Sequence, residues 1–157
     1  MDTVVVIGAK YLIYIVAFLA VTVTLLSERS VRFNLIKLTL FSFPIAFLLS
    51  LIAAALFYDT RPFVVEQITP LIPHSADNGF PSDHTLFAMT AALTVLVYKR
   101  KMGMLLGVLA VIVGVFRVVA KIHYPIDIVG GIAIAIVAVS LAWIILKTLT
   151  KHRVPSF

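Results

Sequence analysis

The sequence predicts an all-α protein, a polytopic bundle of about five membrane-spanning helices. Hydrophobic residues make up 62% of the 157 residues and charged residues only 13%, which is too little polar surface to cover a soluble globule of this size. The hydrophobic residues fall in five long runs, separated by short basic stretches and one long polar loop. Because no linker, low-complexity tract or internal repeat divides the chain, we expect a single domain over residues 1–157.

The five apolar runs approach or exceed the roughly 20 helical residues that cross about 30 Å of hydrocarbon. The predicted spans are Val4 to Leu26, Phe33 to Tyr58, Ser82 to Tyr98, Met102 to Ala120 and Ile126 to Leu146. The third span is the shortest and the most polar at its start. Pro44 lies inside the second span and should kink it. The first span is longer than the core of a signal peptide and contains Lys10, so we expect it to be retained.

The basic residues predict the orientation of the bundle. Five spans put the N-terminus and loop 59–81 on one side, and the short basic loops with the C-terminus on the other. Eight Lys and Arg residues, or nine with Lys37, belong to the second side (Arg29, Arg32, Lys99, Arg100, Lys101, Lys147, Lys151 and Arg153). Only four belong to the first side, so the positive-inside rule predicts N-out and C-in. Loop 59–81 contains four prolines and a glycine, and we expect it to be irregular rather than helical.

Composition also excludes several kinds of chemistry. The chain has no cysteine, which excludes a disulfide, a thiolate metal site and a thiol nucleophile. It has no P-loop and no evident cluster of acidic metal ligands. The net charge of +6 does not indicate a nucleic-acid partner, because the basic residues lie in short clusters between apolar runs.

The predicted topology gathers the unusual polar residues at one end of the bundle. Four separate stretches of sequence contribute Arg61, Ser82, His84, Arg117, His123 and Asp127. Ionisable groups at a membrane boundary are unfavourable unless they are paired or solvated. Their convergence is therefore the main indication of a functional site at this face.

One of these stretches is a helix start that contains a histidine. Ser82 follows Pro81 and is a candidate N-cap, and the free amides of such a turn favour anions. An isolated serine at such a position would most often serve only as a helix cap. The imidazole of His84 beside an anion site could donate a proton to a leaving oxygen.

Another stretch lies at the start of the last span. Pro125 suits the first helical position, and Asp127 then lies in the first turn, where a carboxylate favours the helix dipole. That stabilisation alone would explain Asp127. However, His123 and Asp127 are four residues apart, close enough for the carboxylate to orient the imidazole as an activated nucleophile or base.

Arg61 and Arg117 supply planar guanidinium groups that match the oxygens of a phosphate. Either arginine alone could simply extend along the membrane edge toward water. Together with two histidines and a helix N-terminus, they predict a phosphoryl-binding pocket.

These residues carry a resemblance to a known family. Pro81-Ser82-Asp83-His84 resembles the PSGH motif of the type 2 phosphatidic acid phosphatase superfamily, and Arg117-x5-His123-x3-Asp127 resembles its last motif. The surrounding Phe-Pro-Ser-Asp-His-Thr-Leu-Phe is similar to the bacterial undecaprenyl diphosphate phosphatases of that superfamily. The match covers residues 58–131.

The resemblance implies a phosphatase of the bacterial plasma membrane that acts on a lipid diphosphate within the bilayer. His123 would attack the terminal phosphorus to form a phosphohistidine, and Asp127 would orient it. His84 would protonate the leaving oxygen and later help to activate water. The phosphoryl group would be held by Arg61, Ser82, Arg117 and the backbone amide of Asp83. The resemblance implies no metal, and we expect no cofactor and no nucleic-acid partner.

The sequence departs from the family pattern at three positions. A lysine seven residues before Arg-Pro is replaced by Ala54, and Lys121 is the candidate substitute unless it is simply an exposed interfacial lysine. Phe116 replaces a serine. Asp83 replaces a glycine and adds a carboxylate that could pair with an arginine or set the pKa of His84.

Several alternatives remain open at this stage. The same chemistry could act on phosphatidylglycerol phosphate, phosphatidic acid or a shorter prenyl diphosphate, because the motifs recognise phosphate and not the tail. An anion transporter or a purely structural subunit would be a different class of protein. Three polar residues of the long loop could touch substrate, although loop polarity explains them equally well (His74, Asp77 and Asn78).

Overall fold

The computed structural model describes residues 2–151, with side chains through Leu149. Over this range the chain forms six α-helices and no β-strand; Arg153 of the predicted basic tail lies outside the described residues. The helices are α1 (Asp2–Leu25), α2 (Arg29–Leu56), α3 (Pro62–Val65), α4 (Asp83–Tyr98), α5 (Arg100–Val119) and α6 (Pro125–Lys151).

The predicted all-α membrane bundle is confirmed. Helices α1, α2, α5 and α6 are long and apolar enough to cross a membrane. Helix α4, the predicted third span, is apolar but has only 16 residues. At 1.5 Å per residue it extends about 24 Å, which is less than the hydrocarbon thickness. Within residues 2–151, four helices are therefore long enough to span the membrane, and α4 is a shorter apolar helix beside them.

Two predictions concerned local structure: an irregular loop over residues 59–81 and a kink at Pro44. The prediction that loop 59–81 has no helix was wrong at α3, where Pro62 occupies the first helical position with its φ already suited to a helix. Helix α2 continues through Pro44, so the kink there stays a prediction.

Helix α4 lies at the centre of the bundle. It packs against α1, α2, α5 and α6, and half of its residues are buried. The four longer helices leave large apolar side chains such as Phe18, Leu40 and Val129 exposed on the outside. This arrangement surrounds the short helix with protein and presents hydrocarbon-compatible faces to the membrane.

Glycines of α6 set the depth at which α4 begins. A side chain at Gly130 would collide with the ring of Phe80, and a Cβ at Gly131 would lie 3.0 Å from the carbonyl oxygen of Ser82. The backbone amide of Ser82 donates to the carbonyl oxygen of Asp127 at 3.1 Å. The start of α4 is therefore held directly against the first turn of α6.

Candidate active site

A polar cavity of about 300 Å³ opens at the end of the bundle where α2 and α5 end and α4 and α6 begin. Its polar lining comes from the long loop, from both sides of the α5–α6 turn and from the start of α4. These polar residues are Arg61, His74, Asp77, Asn78, Asp83, His84, Arg117 and His123, with Ser50 from α2. The opposite wall is apolar and includes Phe47, Leu51 and Ala54.

The turn between α5 and α6 positions His123. Lys121 adopts a left-handed conformation with φ of 61°, which reverses the chain over a few residues. Pro125 begins α6, and Asp127 in its first turn accepts from the amide of Tyr124 at 2.9 Å. The carboxylate of Asp127 therefore faces back toward the turn that carries the histidine.

His123 and Asp127 form a buried pair. Nδ1 of His123 lies 3.1 Å from Oδ2 of Asp127, and their side chains are 3% and 0% exposed. Because a carboxylate accepts hydrogen bonds, this contact favours the tautomer with hydrogen on Nδ1. Nε2 then carries the lone pair and can only accept hydrogen bonds.

Asp59 provides a second carboxyl group near this pair. Burial raises the pKa of Asp59, and the charge of Asp127 and a side-chain hydrogen bond with it raise the pKa further. Oδ1 of Asp127 is buried, and while both carboxyl groups are ionised it has no hydrogen-bond partner among the described residues. A protonated Asp59 can supply a hydrogen bond to the Asp127 carboxylate, because only the neutral carboxyl is a donor.

The two arginines converge on Nε2 of His123. Nη1 of Arg61 and Nη2 of Arg117 each lie 3.4 Å from this atom. Both guanidinium groups are almost fully buried, and Nη1 of Arg61 also donates to the carbonyl oxygen of Ile122 at 2.9 Å. Two fixed positive charges therefore surround the one imidazole nitrogen that can act as a nucleophile.

The environment keeps His123 neutral. Burial lowers the pKa of His123; the hydrogen bond with Asp127 raises it, and the charges of Arg117 and Arg61 lower it again, for a net decrease. At neutral pH the imidazole is therefore unprotonated and has a lone pair available. An incoming anion would meet the guanidinium groups and this lone pair together.

The start of α4 contributes three of the expected site residues in different ways. Asp83 and His84 line the cavity. Ser82 occupies the N-cap position, but its side chain makes no capping hydrogen bond. Its fully buried hydroxyl accepts from Oγ1 of Thr85 at 3.3 Å and lies outside the cavity lining.

Lys121 is not brought to the cavity. Its ammonium group lies 2.9 Å from Oε1 of Glu66 at the surface, where both side chains are largely exposed. Ala54 does line the cavity, where it contributes no polar group. Phe116, the other departure from the family pattern, lies against Gly8 of α1.

The long loop is fixed over the cavity by Asn78. The Asn78 side chain donates to the carbonyl oxygens of Ala54 and Phe57 and accepts from the amides of Asp59 and Phe80, all at 2.9–3.0 Å. One amide side chain thus connects the loop to the end of α2.

This anchoring brings two further loop residues into the site. Asp77 accepts from Nε of Arg61 at 2.8 Å, and Nε2 of His74 lies 3.4 Å from Nη2 of Arg117. Burial alone would raise the pKa of Asp77, but the hydrogen bond and charge of Arg61 give a net decrease. The sequence could not separate these residues from ordinary loop polarity, since only the tertiary contacts show which way they point.

The bundle and its cavity define a polytopic membrane protein with an anion-binding pocket built around a histidine and two arginines. The family model described as the PAP2 superfamily matches residues 38–151. The chain belongs to this superfamily, and the resemblance seen in the motifs is confirmed.

Curated relatives support the same assignment. The chain is 36% identical to the putative undecaprenyl-diphosphatase YbjG of Escherichia coli, over 87% of this chain and 69% of that protein. It is 29% identical to the bacitracin transport permease protein BcrC of Bacillus licheniformis, over 94% of this chain and 73% of that protein. It is 38% identical over 81 residues to undecaprenyl-diphosphatase BcrC of Bacillus subtilis; that match spans 52% of this chain and 42% of the relative.

Solved structures share the fold. Aquifex aeolicus LpxE superposes with a TM-score of 0.74 at 23% identity, covering 90% of this chain and 84% of that one. A PAP2-type phosphatidylglycerolphosphate phosphatase from Bacillus subtilis gives 0.62 at 21% identity, covering 99% and 78%. At this identity the likeness establishes the shared helical architecture.

Proposed function

We propose that the protein hydrolyses undecaprenyl diphosphate to undecaprenyl phosphate and inorganic phosphate, which recycles the lipid carrier for cell-wall synthesis. The observation that carries the proposal is the arrangement around His123. One imidazole nitrogen lies 3.1 Å from a buried carboxylate, and the other lies 3.4 Å from each of two guanidinium groups. This arrangement suits a nucleophile that attacks a phosphate.

In the first step Nε2 of His123 attacks the terminal phosphorus. A P–N bond forms, the bridging P–O bond breaks, and undecaprenyl phosphate leaves as His84 donates a proton to its oxygen. The imidazole becomes positively charged as the phosphohistidine forms. Asp127 stabilises that charge and keeps the ring oriented.

In the second step water attacks the phosphohistidine. His84, which has given up its proton, accepts one from the water, so that hydroxide adds to phosphorus as the P–N bond breaks. Inorganic phosphate is released and His123 returns to its neutral form. The two steps together consume one water molecule, and His84 ends with the proton it began with.

The transferred group carries negative charge through both steps. Arg61 and Arg117 are held in place by carbonyl and carboxylate partners, so they need little reorganisation as that charge develops. The backbone amides at the start of α4, including that of Asp83, supply a helix N-terminus for the same anion. Ser82 would contribute mainly by placing this turn. The expectation that no metal takes part stays a prediction.

The apolar surroundings of the cavity support a lipid substrate. One face of α2 lines the polar cavity with Phe47 and Leu51, and its continuation lines an apolar cavity of about 320 Å³ with Leu40 and Phe43. Phe43 stacks on Phe87 of α4, with ring centroids 6.0 Å apart. A hydrocarbon tail could follow this face while the diphosphate occupies the polar end.

The substrate is tested by competition in mixed micelles. We expect kcat/KM for undecaprenyl diphosphate to exceed that for phosphatidylglycerol phosphate, phosphatidic acid and farnesyl diphosphate by at least about tenfold, because tail contacts discriminate among substrates that share a phosphate. A His123→Ala variant assayed on each lipid corrects for background hydrolysis. Equal or faster turnover of a glycerophospholipid would reassign the substrate while keeping the chemistry.

We further propose that the active site faces the extracytoplasmic side, with the N-terminus out and the C-terminus in. The chain has no cysteine, so single cysteines report exposure without background. Ser75→Cys in the long loop should react with a membrane-impermeant maleimide in intact cells, whereas Arg100→Cys should react only after permeabilisation. The reverse pattern would invert the proposed orientation.

A further inference from the structure

His74 is a third imidazole in the polar cavity. Its Nε2 lies 3.4 Å from Nη2 of Arg117, and this guanidinium nitrogen is also 3.4 Å from Nε2 of His123. The two histidine rings are 6.3 Å apart between centroids and cross at 71°. Two imidazoles therefore approach one arginine nitrogen at the position where the proposed phosphoryl group would lie.

The surroundings of His74 differ from those of His123. In the described part of the chain no carboxylate lies within ion-pair distance of its ring. Burial lowers the pKa of His74 to about 4; the charges of Arg61, Arg117 and His123 lower it further, and the charge of Asp77 opposes them in part. The ring is therefore neutral in the empty site, and a bound phosphate would reverse the sign of the local field and favour its protonation.

The loop that carries His74 is attached to the same machinery. Asp77 binds Arg61 at 2.8 Å, and Asn78 bonds to the backbone at the end of α2. These contacts fix the chain three and four residues beyond His74. Its position over the cavity therefore depends on one of the arginines that would hold the phosphate.

Two arginines are the permanently charged cations in the lining of the cavity. Its arginines are Arg61 and Arg117, its α2 wall presents the methyl group of Ala54, and the ammonium of Lys121 is directed to Glu66 at the surface. A phosphate dianion meeting two guanidinium groups has further oxygens that accept hydrogen bonds. Once protonated at Nε2, His74 can donate to one of them.

We propose that His74 binds the transferred phosphoryl group through Nε2, sharing with Arg117 an oxygen of that group, and is a phosphate ligand in addition to the two arginines. The proposal rests on the proposed phosphatase function, because it assumes that a phosphoryl group occupies the space beside His123. His74 forms no covalent bond with the substrate. It accepts a proton from solvent as phosphate binds and returns it when phosphate leaves.

The test measures phosphate binding separately from turnover. Equilibrium binding of inorganic phosphate and of orthovanadate to the purified protein is compared among wild type, His74→Ala and His74→Gln. We expect His74→Ala to weaken binding of both anions by about 10- to 100-fold, as for loss of a hydrogen bond to a charged group. His74→Gln, which keeps a neutral donor, should lose less. Ser75→Ala, a neighbouring exposed position outside the cavity lining, is the matched control and should bind as wild type does.

The pH dependence distinguishes a ligand from a residue that only shapes the loop. The affinity of wild type for phosphate should exceed that of His74→Gln most at low pH. This difference should disappear as pH rises through the pKa of His74 in the complex, because only the protonated ring adds charge. Adding Ala54→Lys to His74→Ala should recover part of the affinity by placing a cation on the opposite wall.

Unchanged phosphate and vanadate binding in both His74 variants would overturn the proposal, even if turnover fell. A loss that is independent of pH and is not recovered by Ala54→Lys would also overturn it, and would assign His74 a role in loop structure. Failure of wild type to hydrolyse undecaprenyl diphosphate, with phosphate binding still dependent on His74, would instead reject only the proposed substrate.

Discussion

Replacement of His123 by Gln is expected to lower phosphate release by at least about 10⁴-fold, because the proposed reaction has no other route to the covalent intermediate. Gln preserves much of the volume and can still contact Asp127, whose carboxylate would otherwise be buried without its imidazole partner. Initial rates with undecaprenyl diphosphate in detergent micelles give the comparison.

Folding must be checked in the same preparation. The buried carboxylate and two guanidinium groups all contact this histidine, so the variant could lose stability as well as activity. Size-exclusion behaviour and the thermal midpoint in detergent should stay close to wild type. A folded His123→Gln protein that retains turnover within tenfold of wild type would remove His123 from the nucleophile role.

Replacement of His84 by Ala is expected to lower turnover of undecaprenyl diphosphate by about 10²- to 10⁴-fold, the usual contribution of a general acid. His84 lies at the start of α4 and lines the same cavity as His123. In the His84→Ala variant the leaving phosphate oxygen would have to depart without receiving a proton. Steady-state rates and single-turnover experiments measure the loss.

An activated leaving group separates this role from a structural one. A lipid-like aryl phosphate that releases nitrophenolate needs no proton, so His84→Ala should give a burst of nitrophenol close to one equivalent at nearly the wild-type rate. Turnover after the burst should remain slow, because the second step needs His84 to activate water. Absence of the burst in a folded variant would contradict the general-acid assignment.

Much of the cavity follows from helix topology. Four of the cavity residues lie at or near a predicted helix end: Arg61, His84, Arg117 and His123. Successive membrane-spanning helices run in opposite directions, so their ends alternate between the two sides of the membrane. Counting spans was therefore enough to predict that these residues share one end of the bundle. The structure brings all four to the lining of one cavity.

Other features depend on tertiary contacts that have no local signature. The turn at Lys121 directs its side chain to Glu66, a partner 55 residues away. His74 reaches the cavity because Asn78 ties the loop to the end of α2, and any polar loop residue would look similar in sequence. The short α3 was missed because several prolines indicated an irregular loop, although Pro62 suits the first turn of a helix.

The central claim is a covalent intermediate on His123, and the most direct measurement is to trap it. Purified protein is mixed with undecaprenyl diphosphate carrying ³²P in the terminal phosphate, with EDTA present, and quenched in alkali, under which phosphohistidine survives. The account predicts an alkali-stable, acid-labile label that maps to the peptide containing His123 and is absent from His123→Gln. Phosphate release by wild type with no label under rapid quench, or with the label on another residue, would contradict it.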